Sequence, residues 1–208
     1  MRPSKVIGVT GTIASGKSTA CKYLEERYGL RRIDADLVGH EVLKSREMVR
    51  ELTKAFGEAI LDTDGTLSRK RLGQIVFGDP KSLRRLNELT HPVICRRIEE
   101  EVHAFREEEE GPPVLLLEAI ELLRTPLLEL VEETWVVWAE DEIRIRRVMQ
   151  RQNLSRKEAE ERVLGQWPQE SYKAAADVLI DGSGSVEELY LQLDLQMTER
   201  MSAFEGEK

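Results

Sequence analysis

Short apolar runs alternate with helix-like segments along most of the chain. Five runs have the length and the apolar composition of buried strands: residues 5–10, 30–34, 114–118, 134–138 and 177–181. Segments with helical periodicity separate these runs. Alternation of this kind is typical of a parallel sheet that is covered by helices on both faces. The pattern therefore predicts an α/β fold with a five-stranded parallel sheet flanked by helices.

Two stretches show helical periodicity with no run that indicates a strand. Residues 37–111 are interrupted only by turn signals such as Asp64-Gly65, and they predict a helical insertion. Residues 145–175 are helical and rich in arginine, and they predict a lid. We expect the core of the fold to comprise the remaining segments, which are residues 1–36, 112–144 and 176–208.

The amino-acid composition restricts the classes of binding partner and the cellular location that we expect. The 208 residues include 31 basic and 39 acidic ones, a net charge of −8, which argues against nucleic acid as a partner but not against a small anion. The sequence has no run of about 18 apolar residues and no secretion-signal pattern, so no membrane partner is expected. Cys21 and Cys95 match no metal or disulfide spacing and predict reduced thiols. We expect a cytoplasmic monomer or weak homo-oligomer.

The turn after the first predicted strand carries a phosphate-binding pattern. It reads Gly11-Thr12-Ile13-Ala14-Ser15-Gly16-Lys17-Ser18, which fits G-x-x-x-x-G-K-[ST]. In such a P-loop the backbone N–H groups surround phosphates at the positive end of the next helix. We expect Lys17 to bind the β and γ phosphates, Ser18 to coordinate Mg²⁺ and Thr19 to lie near the α phosphate. The alternative is a glycine-rich turn, but the strand before and the helix after favour ATP binding.

Other patterns restrict the class of P-loop protein. A guanine-reading [NT]-K-x-D motif and a transporter-type signature are both absent, so a small-molecule kinase is the remaining common class. A kinase needs a base for the acceptor hydroxyl and cations for the transferred phosphoryl group. Asp34 or Asp36 is the candidate base, although either residue could instead cap a helix. Arg147 and Arg151 lie four residues apart and are candidate cations, although they could instead form a solvated helix face.

Seven separated motifs resemble those of the dephospho-CoA kinase family. They cover nearly the whole chain: residues 6–19, 33–42, 64–69, 75–80, 86–92, 147–166 and 176–181. The resemblance implies a P-loop kinase fold in which the helical insertion forms the acceptor pocket. It also implies transfer of a phosphoryl group from ATP, with Mg²⁺, to the ribose 3′-hydroxyl of dephospho-CoA.

The same resemblance implies roles for individual residues. Asp36 would be the base that accepts the proton of the 3′-hydroxyl, and Arg147 would stabilise the transferred phosphoryl group with help from Arg151. Thr10 and His91 would lie near dephospho-CoA. Taken alone, a histidine before a proline is typical of a turn.

Two segments depart from the family pattern. Residues 117–123 lack the usual proline and carry Glu118 where aspartate is common, and Glu118 could hold a Mg²⁺-bound water or orient the base. Thr12 and Ala14 stand where the P-loop of the family usually has glycine. Both are small and fit as long as neither position needs a positive φ.

Two other functions fit the same motifs. One is a P-loop kinase for another nucleoside or nucleotide, because the altered segment 117–123 could reshape the acceptor pocket. The other is a nucleotide-binding regulatory module without catalysis. The joint presence of Lys17, Ser18, Asp36 and Arg147 argues against the second alternative.

Overall fold

A computed structural model describes residues 4–76 and 78–206, so Phe77 of the 75–80 motif and residues 1–3 and 207–208 of the predicted core lie outside it. Its described residues form two compact units. The first comprises the residues up to Asp34 and those from Val102 onward, and the second comprises Ala35–Glu101. The boundaries of core, insertion and lid inferred from the sequence stay predictions.

The first unit contains a five-stranded parallel sheet in the order β2-β3-β1-β4-β5, as predicted. Its elements follow in chain order: β1 (Lys5–Thr10), α1 (Lys17–Tyr28), β2 (Arg31–Asp34), β3 (Val114–Glu118), 3₁₀ turns at Leu122–Arg124 and Pro126–Leu130, β4 (Glu133–Trp138), α6 (Asp141–Gln152), α7 (Arg156–Leu164), α8 (Gln169–Ala174), β5 (Val178–Asp181) and α9 (Val186–Gly206). Helices α2 to α5 follow β2 in the chain. The strand bounds agree with the sequence prediction to within one residue.

The central strands are buried because helices cover both faces of the sheet. All five residues of β3 are buried, which explains why its sequence is a continuous apolar run ending in Glu118. One core cluster joins β1, β3 and β4 to α1 and α9, with Ile7, Leu24, Leu116 and Trp135 fully buried. The register places the carboxyl ends of neighbouring strands side by side, and Glu118 pairs with both Val9 of β1 and Asp34 of β2.

The second unit is built from helices. They are α2 (Ala35–Lys44), α3 (Arg46–Phe56), a 3₁₀ turn at Glu58–Ile60, α4 (Arg69–Val76) and the part of α5 (Pro80–Glu107) up to Glu101. The turn suggested by His91 before Pro92 does not form, because α5 continues through the proline. Pro92 removes one helical N–H donor, but it lies on an exposed face where water can bond the Glu88 carbonyl. No helix in the described ranges is long and apolar enough to span a membrane.

Candidate active site

The P-loop lies between β1 and α1, where the backbone must turn tightly under the helix N-terminus. Gly11 has φ of +149°, and a Cβ atom there would lie 2.1 Å from the carbonyl oxygen of Val137. Only glycine fits this position, since the contact is with backbone that cannot rotate away. Gly16, with φ of +113°, forms the N-cap of α1. Backbone conformation therefore explains why the motif has glycine at both positions.

Ala14 adopts a positive φ of 60°, so the condition under which it was expected to fit is not met. A non-glycine residue in this region costs about 1 kcal/mol, because Cβ crowds the backbone. Packing offsets part of this cost, since Ile13 and Ala14 lie against the apolar cluster formed by α6 and α7. Thr12 is not among the residues with positive φ, and its hydroxyl donates to Gln169 Oε1 at 3.3 Å.

Lys17 and Ser18 converge on one oxygen of Glu118. Lys17 Nζ and Ser18 Oγ each donate to Glu118 Oε1 at 2.7 Å. Glu118 is only 2% exposed, and Lys17 is buried as well. The carboxyl end of β3 therefore places a buried carboxylate directly against the two P-loop side chains that were predicted to bind phosphate and metal.

The second oxygen of Glu118 is bound by Arg32 of β2. Arg32 donates to Glu118 Oε2 from Nε at 2.9 Å and lies 2.6 Å away through Nη2. The same Nη2 donates to Asp34 Oδ2 at 2.7 Å. Burial acts to raise the pKa of Glu118, but Lys17, Ser18 and Arg32 outweigh it and lower the pKa. The carboxylate is therefore ionised in the folded protein.

Cys21 lies beneath this cluster, one turn after Lys17 on α1. Its side chain is fully buried. Burial raises the pKa of the thiol well above its usual range, and the nearby Glu118 carboxylate raises it further. Because the thiolate is the reactive form, this thiol is chemically quiet in the native protein.

Two arginines of α6 bind the outer side of the P-loop through backbone carbonyls. Arg144 is 2% exposed and donates to Ile13 O at 3.1 Å and to Val163 O at 3.2 Å. Arg147 donates to Ala14 O at 3.1 Å and to Gly182 O at 2.7 Å. The guanidinium groups thus connect the P-loop to α7 and to the residue that follows β5.

The remaining residues proposed for ATP differ in their surroundings. Ser15 Oγ is buried and has no hydrogen-bond partner in the described part of the chain. Thr19 is exposed on the first turn of α1. Arg151 is exposed on the last turn of α6, and among residues 4–76 and 78–206 it has no hydrogen bond or ion pair. Ile13 N donates to Gln166 Oε1 at 2.7 Å, so Gln166 also contacts the loop.

The other predicted residues belong to the second unit. Asp36 is exposed in the first turn of α2, two residues after β2 ends. His91 is exposed within α5. His40 of α2 and Arg69 of α4 form a hydrogen bond of 2.8 Å inside this unit.

A family model described as dephospho-CoA kinase matches residues 5–188. The chain belongs to the dephospho-CoA kinase family. The family assignment made from the motifs is therefore confirmed.

Relatives support this assignment over nearly the whole chain. The dephospho-CoA kinase of Geobacter sulfurreducens is 42% identical over 190 residues, which cover 91% of this chain and 95% of the relative. That of Shouchella clausii is 37% identical over 188 residues, covering 90% and 94%. The solved structure of dephospho-CoA kinase from Campylobacter jejuni is 28% identical, covers 94% of this chain and 97% of its own, and has a TM-score of 0.65. The P-loop kinase fold is thereby confirmed.

The segment that departs from the usual dephospho-CoA kinase pattern is held by two hydroxyl groups. Thr10 Oγ1 donates to Ile120 O at 3.1 Å, and Tyr172 OH donates to the same oxygen at 3.2 Å. Thr10 is fully buried. Two side-chain hydrogen bonds therefore fix the backbone after β3, in the segment that lacks the usual proline.

Sequence reasoning missed Arg32 and Arg144. Both side chains are largely buried, yet the helical spacing of α6 drew attention to Arg147 and Arg151 instead. A signal for Arg32 existed, because a charged residue two positions before Asp34 on a strand lies on the same face as that carboxylate. Asp141, three positions earlier on α6, is a local partner of Arg144 at 2.8 Å, but the contacts of Arg144 with backbone carbonyls 131 and 19 positions away have no local signal.

Proposed function

We propose that this protein transfers the γ-phosphoryl group of ATP to the ribose 3′-hydroxyl of dephospho-CoA, giving coenzyme A and ADP. One observation carries the proposal beyond family membership. Lys17 and Ser18 of a complete P-loop meet Glu118 at the carboxyl end of β3. Ligands of open parallel sheets bind at this edge. A phosphate-binding loop, a cation and hard oxygen atoms are thus assembled where a nucleotide would bind.

ATP would be held by the inward N–H groups of Gly11 to Ser18 and by Lys17. The buried Ser15 hydroxyl, which lacks a partner within the described ranges, is available to donate to a phosphate oxygen. Thr19 would lie near the α phosphate. The ammonium group of Lys17, now 2.7 Å from the Glu118 carboxylate, would be shared with or moved to the β and γ phosphates.

Magnesium fits the oxygen atoms beside the P-loop. The described residues contain no group of three or more His, Cys, Asp or Glu side chains that could bind a metal. Magnesium in kinases instead takes one or two protein oxygens together with phosphates and water. The Ser18 hydroxyl and the Glu118 carboxylate would supply the protein oxygens. When bound, the ion would neutralise charge on the phosphates.

The acceptor side is proposed from the family pattern. Asp36 would accept the proton of the 3′-hydroxyl, and Thr10, His91 and the helical insertion of residues 37–111 would lie near dephospho-CoA. Residues 145–175 would act as a lid. Arg147 would stabilise the transferred phosphoryl group with help from the exposed Arg151, and the contacts of Arg147 with P-loop carbonyls would also hold the loop. Both cysteines are free, which supports the proposed cytoplasmic location. We propose a monomer or weak homo-oligomer from the sequence alone.

The decisive experiment is an assay of the pure protein with ATP, Mg²⁺ and dephospho-CoA. We expect one ADP and one 3′-phosphorylated product per turnover, identified by mass spectrometry. Nucleosides and nucleotides offered at the same concentration serve as competing acceptors. Turnover with one of these acceptors and none with dephospho-CoA would overturn the assignment.

Asp36→Asn tests the proposed base. Loss of a general base is expected to lower kcat by about 100-fold, while ATP affinity stays within about twofold of the original value. Asp62→Asn, a change at an exposed carboxylate of the same unit, is the matched control. Unchanged kcat in Asp36→Asn would remove this residue from the mechanism.

A further inference from the structure

Arg32 occupies a distinctive position in the cluster around Glu118. The cluster contains two cations, Lys17 and Arg32, and two carboxylates, Glu118 and Asp34. The two oxygens of Glu118 have different partners. Oε1 accepts from Lys17 and Ser18, whereas Oε2 accepts from Arg32. Among the described residues, Glu118 is therefore bound on two separate sides.

Nucleotide binding would disturb only one of these sides. Lys17 has three N–H donors on one compact charge, so attraction that it gives to phosphate is withdrawn from Glu118. A buried carboxylate that loses its only cation is strongly disfavoured. We propose that Arg32 is a positioning residue that remains bound to Glu118 as its counter-ion and so allows Lys17 to move to the phosphates of ATP. This inference rests on the proposed function of the P-loop.

The side chain of Arg32 is suited to this role. Its planar guanidinium reaches Glu118 through Nε and Nη2, and Asp34 through Nη2, at distances from 2.6 to 2.9 Å. Strand geometry brings the two carboxylates together, since Asp34 and Glu118 are register partners at the ends of β2 and β3. Glu25 lies farther from the guanidinium, with its Oε2 atom 3.8 Å from Arg32 Nη1. A lysine could bind one carboxylate but not bridge both.

The first test measures ATP affinity by calorimetry, with EDTA and without acceptor, so that no turnover contributes. Arg32→Gln should weaken binding about tenfold or more, because Lys17 would then be the only cation left on Glu118. The matched control is Arg31→Gln, since the neighbouring Arg31 is exposed and pairs with Glu108 instead. Equal affinities of Arg32→Gln and the original protein would overturn the proposal.

A double-mutant cycle separates this role from a general effect on folding. In Glu118→Gln the neutral amide needs no counter-ion, so adding Arg32→Gln should change ATP affinity less than twofold. A full tenfold loss in the double variant would show that Arg32 does not act through Glu118 and would overturn the proposal. If Arg32→Gln does not fold, Arg32→Lys provides the test, with an expected loss of two- to fivefold that Glu118→Gln abolishes.

The proposed function and the proposed role of Arg32 would be contradicted by different results. If the original protein binds ATP neither with Mg²⁺ nor with EDTA, the proposed function is wrong. If it binds ATP and Arg32→Gln binds equally well, only the role of Arg32 is wrong.

Discussion

Two carboxylates of the sheet, Glu118 and Glu133, each bind two cations, but they lie at opposite ends of the parallel strands. Glu118 ends β3 and binds Lys17 and Arg32. Glu133 begins β4 and binds Lys5 at 2.9 Å and Arg200 at 2.5 Å. Burial acts to raise the pKa of Glu133, but Arg200, Lys5 and Trp135 lower it to about 2.

The difference between the clusters is what else their cations can bind. Lys17 belongs to the P-loop, and the proposed function gives it the phosphates of ATP as further partners, whereas Lys5 and Arg200 contact structural elements. Ligands approach the carboxyl ends of strands, so we expect the Glu118 cluster, and not the Glu133 cluster, to change its contacts when a ligand binds. The Glu133 cluster instead joins the starts of β1 and β4 to α9. We therefore expect similar ion pairs to serve binding at one end of the sheet and stability at the other.

Replacing the lysine of each cluster should give the largest contrast. Lys17→Ala removes a cation from the transferred phosphates, and we expect kcat/KM for ATP to fall about 1,000-fold. Lys5→Ala should leave kcat/KM within about twofold and lower the melting temperature by a few degrees. Steady-state kinetics and thermal unfolding of both variants measure this contrast. A large kinetic effect of Lys5→Ala would contradict the division of roles.

Neutralising each carboxylate should sharpen the same comparison. Glu118→Gln is expected to lower kcat by about 10- to 100-fold, because it removes the negative charge and one oxygen of a proposed magnesium ligand. Glu133→Gln should leave kcat unchanged and lower the free energy of unfolding by about 1–2 kcal/mol. Urea unfolding and initial rates measure the two effects. Equal kinetic effects of the two variants would mean that the clusters do not differ as described.

The hydrogen bonds from Arg147 of α6 to backbone carbonyls are a third set of contacts to compare with these clusters. Arg147→Lys cannot bridge Ala14 O and Gly182 O, so ATP affinity should fall about tenfold through a less ordered loop. Arg146→Lys, at the exposed neighbouring position, should bind ATP normally. Calorimetry compares the two variants. Normal binding by Arg147→Lys would exclude this contact from loop positioning.

Acid should affect the Glu133 cluster in a predictable range. Since the folded pKa is about 2 and the ordinary value is 4.5, the ionised group stabilises the fold above about pH 4.5 and loses this effect as the pH falls toward 2. The stability difference between the original protein and Glu133→Gln should therefore shrink by about 1–2 kcal/mol between pH 6 and pH 2.5. Urea unfolding at each pH measures it. A difference that stays constant with pH would contradict the ion pairing.

The strands and the P-loop could be predicted from the sequence because their signals are local. Parallel strands buried on both faces are continuous apolar runs, so β1 and β3 were located to the residue. The glycine spacing of the P-loop reflects backbone angles within eight residues. The family motifs then indicated the acceptor.

The cluster around Glu118 could not be predicted in this way. Arg32 and Glu118 are 86 positions apart, and their contact depends on β2 lying beside β3, which single strands do not reveal. The burial of Arg144 likewise depends on how α6 meets the P-loop. Helical spacing alone therefore drew attention to Arg147 and Arg151. The positive φ of Ala14 was also hidden, because residue size alone does not report a backbone angle.

The buried thiol of Cys21 provides a chemical reporter for the P-loop end of the sheet. Alkylating reagents attack thiolates that they can reach, and the native environment of Cys21 opposes both requirements. Labelling of this residue, followed by peptide mass spectrometry, would therefore count openings of the region beneath the P-loop. ATP should slow that labelling in proportion to its occupancy, which gives a measure of ligand binding that needs no catalysis.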